Sequence, residues 1–490
     1  LADSILARAR PLMLARLAGA ALTFAVPMVL ARTLVPASYG TFKQGWLLSQ
    51  TLALVLPMGL TQSLYYFVPR EPERRDRYVS ETLWITLALG AVAAALVLAA
   101  RPLVQRGFDN AELTRNLPWV AAFTGLYLAG AALDVAWNAQ GRVGSAALAR
   151  VGTEVARALG MVIGARLTGS VVGVFAGITA ATFLRAAVTV WVLGRRHGFA
   201  FDLAVLRRQA AYALPFGAAF LLIVPQQQYH QYAVAAAVSA AAFAVYSVGT
   251  FQLPIIDILY TPVSELLQIS LAEQEGAGRP PRAGLALFHE AVLQLSFAFV
   301  PLMGLLLVAA PALIGFLFSP RYAGAVPIFR LAVLQVALAA LPLDGVMRAR
   351  AQNRFMLVLS GFKLAATVAL VTAGLALRGP AGALGGWILA EAISRVVMLA
   401  RAARLFEARL RAVLPFRALA RQAIATAVAM PVAWLACQAS GPAFLRLAAC
   451  GIAFAAGYLG LSWARGWLPA GWVGLFRARR ARPAPAATET

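Results

Sequence analysis

Apolar runs of about 20 residues, divided by short clusters rich in arginine, proline and glycine, recur along the whole chain. A run of that length crosses the hydrocarbon core of a bilayer as a helix. The pattern predicts about fourteen transmembrane helices, over 11–33, 42–67, 82–101, 117–138, 149–168, 171–193, 210–236, 240–268, 284–310, 326–347, 355–377, 382–402, 418–438 and 444–464. No connection exceeds about 20 residues, which leaves no room for a water-soluble domain. The expected fold class is an all-α polytopic membrane protein. The first run follows Arg8 and Arg10 and exceeds the core of a secretion signal, so it reads as a retained span.

Composition agrees: hydrophobic residues make up 61%, charged residues 13%, and mean hydropathy is +0.75, whereas a globular domain carries about 25% charged residues. The net charge of +24 would suggest nucleic acid in a soluble protein. Here it has a simpler source, because cytoplasmic loops collect arginine and lysine. With the first loop placed outside, about 28 of the 43 cations fall in inner segments and about 10 in outer ones, so both termini are expected in the cytoplasm. Nucleic acid is therefore not an expected partner, whereas anionic lipids are.

Cys437 and Cys450 both lie within apolar runs and suggest neither a disulfide framework nor a zinc site. The two lysines, Lys43 and Lys363, both follow phenylalanine, so no phosphate-binding Gly-Lys loop exists. His197, His230 and His289 lack metal-ligand spacing. No cofactor or metal is expected, and the chain does not read as an enzyme.

An internal repeat is visible. Ala37-Ser-Tyr-Gly-Thr-Phe42 is echoed by Ala241-Ala-Phe-Ala-Val-Tyr246, and Ala132-Leu-Asp134 with Gln140-Gly-Arg142 by Pro342-Leu-Asp344 with Gln352-Asn-Arg354. Offsets of about 204 to 212 with six spans per copy describe a parallel duplication. The expected domains are an N-terminal lobe over 1–209, a C-terminal lobe over 210–417, two further helices over 418–464 and a basic tail over 465–490.

Leu30-Ala-Arg32-Thr-Leu-Val-Pro36-Ala-Ser-Tyr39-Gly40-Thr-Phe42 resembles the motif that follows the first helix of the polysaccharide flippase/exporter family. That family shares a superfamily with multidrug extruders and lipid II flippases. Gln140-Gly-Arg142, 241–249 and 319–327 are similar to other family positions, so the resemblance spans most of the chain. It implies a transporter that flips undecaprenyl-pyrophosphate-linked oligosaccharide across the bacterial inner membrane by alternating access, for surface polysaccharide biosynthesis. One departure concerns coupling: His230 stands where the family often has an acid.

Such a substrate is an anion, and ionisable groups inside spans are costly unless they serve a path. Arg16 and Lys363 lead as pyrophosphate ligands, with Arg32 and Lys43 receiving the head group at the outer loop. In the polar run Pro225-Gln-Gln-Gln-Tyr-His-Gln-Tyr232, Gln226, Tyr229 and His230 share a helical face suited to sugar hydroxyls. Asp257 and Glu265 are candidates for coupling to a proton or sodium ion. Glu154 with Arg157, and Glu391 with Arg395, read as pairs that neutralise one another at helical spacing. Arg185 has no such neighbour. Asp134 and Asp344, equivalent in the repeat, suggest a structural role.

Two other readings stay open. One is a lipid II flippase or an ion-coupled multidrug antiporter of the same superfamily. The other is a membrane polysaccharide polymerase or glycosyltransferase, which would need a larger outer loop than this sequence has. A polymerase or assembly protein is also a possible partner of a flippase.

Overall fold

The computed structural model describes residues 19, 21, 22, 24–251 and 253–469; Arg16 and most of the basic tail lie outside them. Among the described residues every regular element is helical. The first half comprises α1 (Phe24–Thr33), α2 (Pro36–Val55), α3 (Leu64–Arg70), α4 (Arg75–Ala99), α5 (Arg101–Phe108), α6 (Ala111–Ala129), α7 (Ala132–Ala139), α8 (Val143–Thr168), α9 (Val171–His197), α10 (Leu203–Ala237) and α11 (Ala240–Gly249). There follow α12 (Pro254–Gly276), α13 (Ala283–Leu317), α14 (Ala325–Val333), α15 (Gln335–Leu338), α16 (Leu343–Ala349), α17 (Asn353–Leu405), α18 (Leu410–Val413), α19 (Phe416–Cys437) and α20 (Ala443–Ala464). Two compact units result: Leu1–Val248 with Ser360–Gly386, and Gly249–Leu359 with Trp387–Thr490.

Among the described residues, nine helices are long and apolar enough to cross a membrane, or ten with the bent α10, whose arms meet at Pro215. Other expected spans depart from this set for local reasons. The run over 42–67 is interrupted, because Met58 and Gly59 adopt positive φ of 43° and 78° before the helix restarts at α3. The run over 240–268 is divided between α11 and α12. The two runs over 355–402 join into α17, broken only at Arg378 and Gly379. The run over 149–168 falls in α8, which carries Arg150, Glu154, Arg157 and Arg166.

The duplication is visible in helix packing. In the α8–α9 hairpin, a Cβ on Gly164 would stand 1.9 Å from the Gly173 carbonyl oxygen, and one on Gly177 1.9 Å from that of Gly160. Only glycine allows backbones this close, and in lipid such close packing replaces water exclusion as the source of helix association. The two arms of α17 repeat the arrangement: Gly374 meets the Gly382 carbonyl at 2.1 Å, and Gly386 that of Leu370 at 2.2 Å. These positions lie 209 or 210 residues after their counterparts. So do the turns, where Gly169 and Gly379 have φ of 62° and 59°.

In the first unit, Leu64, Phe67, Tyr78, Leu83, Leu133 and Leu193 form a core joining α3, α4, α7 and α9. Beside it, polar groups fasten the start of α4 to the α9–α10 connection. Trp84 Nε1 donates to the Phe199 carbonyl at 2.9 Å, and Ser80 Oγ to that of Ala200 at 2.8 Å. The Asp202 amide donates to Glu81 at 2.9 Å. Glu71 receives both Arg208 nitrogens at 2.6 and 3.1 Å and the Tyr78 hydroxyl at 2.9 Å. The Arg208 hydrogen bonds, then that of Tyr78, hold the Glu71 carboxyl below its ordinary value of 4.5.

A depressed carboxylate stabilises the fold above its unfolded pKa, and that contribution disappears as pH falls through the folded value. Glu71→Gln is therefore expected to lower the melting temperature of the purified protein at neutral pH. The difference from wild type should close below the carboxylate range, where both side chains are neutral; a constant gap across pH contradicts the assignment.

The second unit packs Phe288, Val292, Leu343, Met347, Met398 and Phe406 into one core. Ala425, Ala429, Ala433, Phe454 and Tyr458 form another between α19 and α20. One expectation is corrected here: Cys437 and Cys450 form a disulfide, with their Cα atoms 5.0 Å apart. Their apolar settings suggest no disulfide framework. The turn between α19 and α20 brings them together, and hydropathy carries no signal for that meeting.

Candidate functional site

Within the first unit, a cavity of about 340 Å³ opens among α2, α4, α6, α7, α8, α9 and α10. Its polar lining begins on α8, where Arg150, Glu154 and Arg157 recur at helical spacing and share one face. Asp134 from α7 and Arg185 from α9 complete a group of three guanidinium groups and two carboxylates. The formal sum is one positive charge. Gln62, Thr86, Tyr127, Thr153 and Thr182 supply neutral donors and acceptors.

Each carboxylate has an assigned cation. Arg157 reaches Glu154 at 3.1 Å, and Arg185 pairs with Asp134 through a short hydrogen bond. The latter corrects the reading of Arg185 as partnerless: its partner lies 51 residues away on another helix, beyond any helical spacing. Arg150 has no carboxylate partner among the described residues. The Arg157 guanidinium is 5.0 Å from the Tyr127 ring and 5.7 and 5.8 Å from those of Trp46 and Phe123. This residue is 6% exposed, and its Nε has no hydrogen-bond partner. A cavity lined by three guanidinium groups and two carboxylates favours an incoming oxygen anion.

The repeat carries a second Asp–Arg pair, Asp344 with Arg395, again 51 residues apart and each 210 residues after its counterpart. Its surroundings differ. Tyr260 donates a short hydrogen bond to Asp344, and Arg395 also binds Glu391 at 2.8 Å and the Leu341 carbonyl at 2.9 Å. The two pairs expected from helical spacing are present, and Asp134 and Asp344 are both salt-bridged. What sequence spacing did not show is that the first copy faces a polar cavity.

The expected site residues lie elsewhere. Arg16 is outside the described residues; Arg32 is exposed, Lys43 and Lys363 are partly buried, and none of these three lines the cavity. The polar face of α10 bonds to neighbouring helices of the same unit. Gln226 Nε2 donates to the Ser360 carbonyl at 3.0 Å, Tyr229 meets Thr372 at 2.9 Å, and His230 Nδ1 meets the Tyr246 hydroxyl at 2.6 Å. Asp257 and Glu265, on α12 of the second unit, are exposed. The sequence signal for the cavity was the α8 spacing itself, treated only as internal neutralisation.

Comparison with known proteins gives the fold a context. The family described as polysaccharide biosynthesis protein matches residues 29–327, more than half of the chain. No curated protein sequence matches. Among solved structures, the lipid II flippase MurJ in an inward closed conformation is similar at a TM-score of 0.70 and 12% identity, over 93% of this chain and 98% of that one. An inward-facing multidrug resistance MATE family transporter of the MOP superfamily gives 0.62 and 15%, over 79% and 95%. A MOP superfamily transporter from Pyrococcus furiosus, described by a reversed polarity of its binding pocket, gives 0.52 and 16%, over 82% and 96%. At these identities the likeness establishes the fold, and function must come from the site.

Proposed function

Because this chain belongs to the polysaccharide biosynthesis protein family, we propose that it flips undecaprenyl-pyrophosphate-linked oligosaccharide from the cytoplasmic to the periplasmic leaflet of a bacterial inner membrane by alternating access. The observation that carries the reading is the net-positive cavity of the first unit, where three guanidinium groups face two carboxylates and Arg150 has no acidic partner among the described residues. A pyrophosphate needs such guanidinium groups, which bind its oxygens in fixed geometry. At about 340 Å³ the cavity is near the lower end for small-molecule sites and suits a head-group fragment rather than a whole oligosaccharide.

The rest of the route is part of the same proposal. Arg16, Arg32, Lys43 and Lys363 serve as further cations for the pyrophosphate, and Gln226, Tyr229 and His230 contact sugar when α10 rearranges. Asp257 and Glu265 are the acids for a coupling proton or sodium ion. The arginine distribution supports a topology with both termini in the cytoplasm and the α19–α20 turn outside. The Cys437–Cys450 disulfide supports that orientation, since such bonds persist outside the cytoplasm.

Lipid II is the second reading, favoured by the extent of the likeness to MurJ. Deleting the gene in its native host separates the two. Our reading predicts that undecaprenyl-linked oligosaccharide accumulates on the cytoplasmic leaflet while surface polysaccharide disappears and peptidoglycan synthesis continues. Normal surface polymer with failing peptidoglycan synthesis transfers the assignment to lipid II.

A further inference from the structure

We propose that Glu154 is a built-in competitor for the anion received by the first unit's cavity: its carboxylate occupies Arg157 when the pocket is empty and is displaced when a phosphate group enters. The inference rests on the head-group reading above and adds how that site is held at an affinity compatible with release.

Glu154 and Arg157 differ in freedom. The Arg157 side chain is 8% exposed and enclosed by Trp46, Phe123 and Tyr127, so the cation is fixed in place. The Glu154 side chain is 31% exposed and lines the cavity, where it can turn toward the open space. Their contact at 3.1 Å uses one guanidinium nitrogen, leaving Nε unfilled. A phosphate group bridging Arg157 and Arg150 gains a contact that the Glu154–Arg157 pair does not use, because Arg150 lines the cavity with no carboxylate partner among the described residues. The other groups facing Glu154 do not change this. Asp134 is held by Arg185, and Tyr127, Thr153, Thr182, Gln62 and Thr86 are neutral.

Comparison within the molecule separates this role from simple neutralisation. The Asp–Arg pair recurs in the repeat, but the positions 210 residues after Arg150, Glu154 and Arg157 are Ser360, Leu364 and Thr367. The α8 triad is therefore particular to the copy that lines this cavity. A transporter must release what it binds, and an internal acid that reclaims the cation assists release without removing the site.

The test is calorimetric titration of the purified full-length protein with inorganic pyrophosphate at one fixed pH and ionic strength. Removing the competing charge in Glu154→Gln is expected to tighten binding about tenfold, while Arg150→Gln weakens it about as much. Glu154→Asp, one methylene shorter and so farther from Arg157, should fall between wild type and Glu154→Gln; it carries the test if the glutamine variant fails to fold. If wild type binds in an Arg150-dependent manner and neither Glu154 variant binds more tightly, the competitor role is overturned and the anion pocket stands. If neither wild type nor Glu154→Gln binds pyrophosphate, both fall.

Discussion

Arg157→Gln is expected to reduce flipping about a hundredfold or more, in protein that still reaches the membrane. The substitution removes one of the three guanidinium groups of the cavity and also leaves Glu154 without its cation. Hydrogen bonds to charged groups contribute about 1.5–3 kcal/mol each, and a planar guanidinium can offer a phosphate two at once. Two such effects exceed the roughly 2.7 kcal/mol that a hundredfold change represents. Arg157→Lys should recover only part of the activity, because a compact ammonium cannot reproduce the planar guanidinium among three aromatic rings. Surface polymer quantified per unit of membrane-inserted protein gives the readout. Near-wild-type export by Arg157→Gln removes the cavity from the mechanism.

Gly164→Val is expected to be among the most damaging single changes to the fold. The new side chain begins 1.9 Å from the Gly173 carbonyl oxygen, a backbone atom that cannot move aside alone. The α8–α9 hairpin must part, at a cost of about 3 kcal/mol or more. Because α8 carries Arg150, Glu154 and Arg157, the cavity is disturbed with it. Gly374→Val, at the equivalent point of the repeat, should be similarly severe, since its Cβ would lie 2.1 Å from the Gly382 carbonyl. Gly152→Val on the same helix meets nothing within 4 Å and should be nearly neutral. Detergent-solubilised yield and melting temperature check the series; equal behaviour of Gly164→Val and Gly152→Val contradicts the packing argument.

Much of this architecture was legible in the sequence for one reason: bilayers impose a length and a polarity on every segment. The helical class followed from apolar runs, and the duplication from short echoes such as Ala132-Leu-Asp134 and Pro342-Leu-Asp344. Breaks inside helices were less visible. The Met58–Gly59 turn and the α11–α12 division occur in stretches as apolar as their flanks, and hydropathy does not report backbone direction.

The site was harder because its contacts cross between helices. Asp134 and Arg185 are 51 residues apart, so periodicity cannot join them. Conversely, the polar face of α10 looked open in one dimension, whereas Ser360, Thr372 and Tyr246 meet its side chains in three. The cysteines show the same effect, brought together by a helical turn that their apolar setting concealed. The available clue to the cavity was the α8 spacing of Arg150, Glu154 and Arg157, set beside Asp–Arg pairs repeated at an offset of 210. Only one of the two copies also carries charge at the α8 positions.

The most direct test of the account is reconstitution of the purified protein in vesicles loaded on one leaflet with undecaprenyl-pyrophosphate-linked oligosaccharide from its host. The fraction of oligosaccharide accessible to an impermeant glycosidase is then followed over time. The account predicts protein-dependent appearance of the substrate on the opposite leaflet, lost in Arg157→Gln. Substrate that remains on its original leaflet with wild-type protein, under imposed proton and sodium gradients alike, contradicts it.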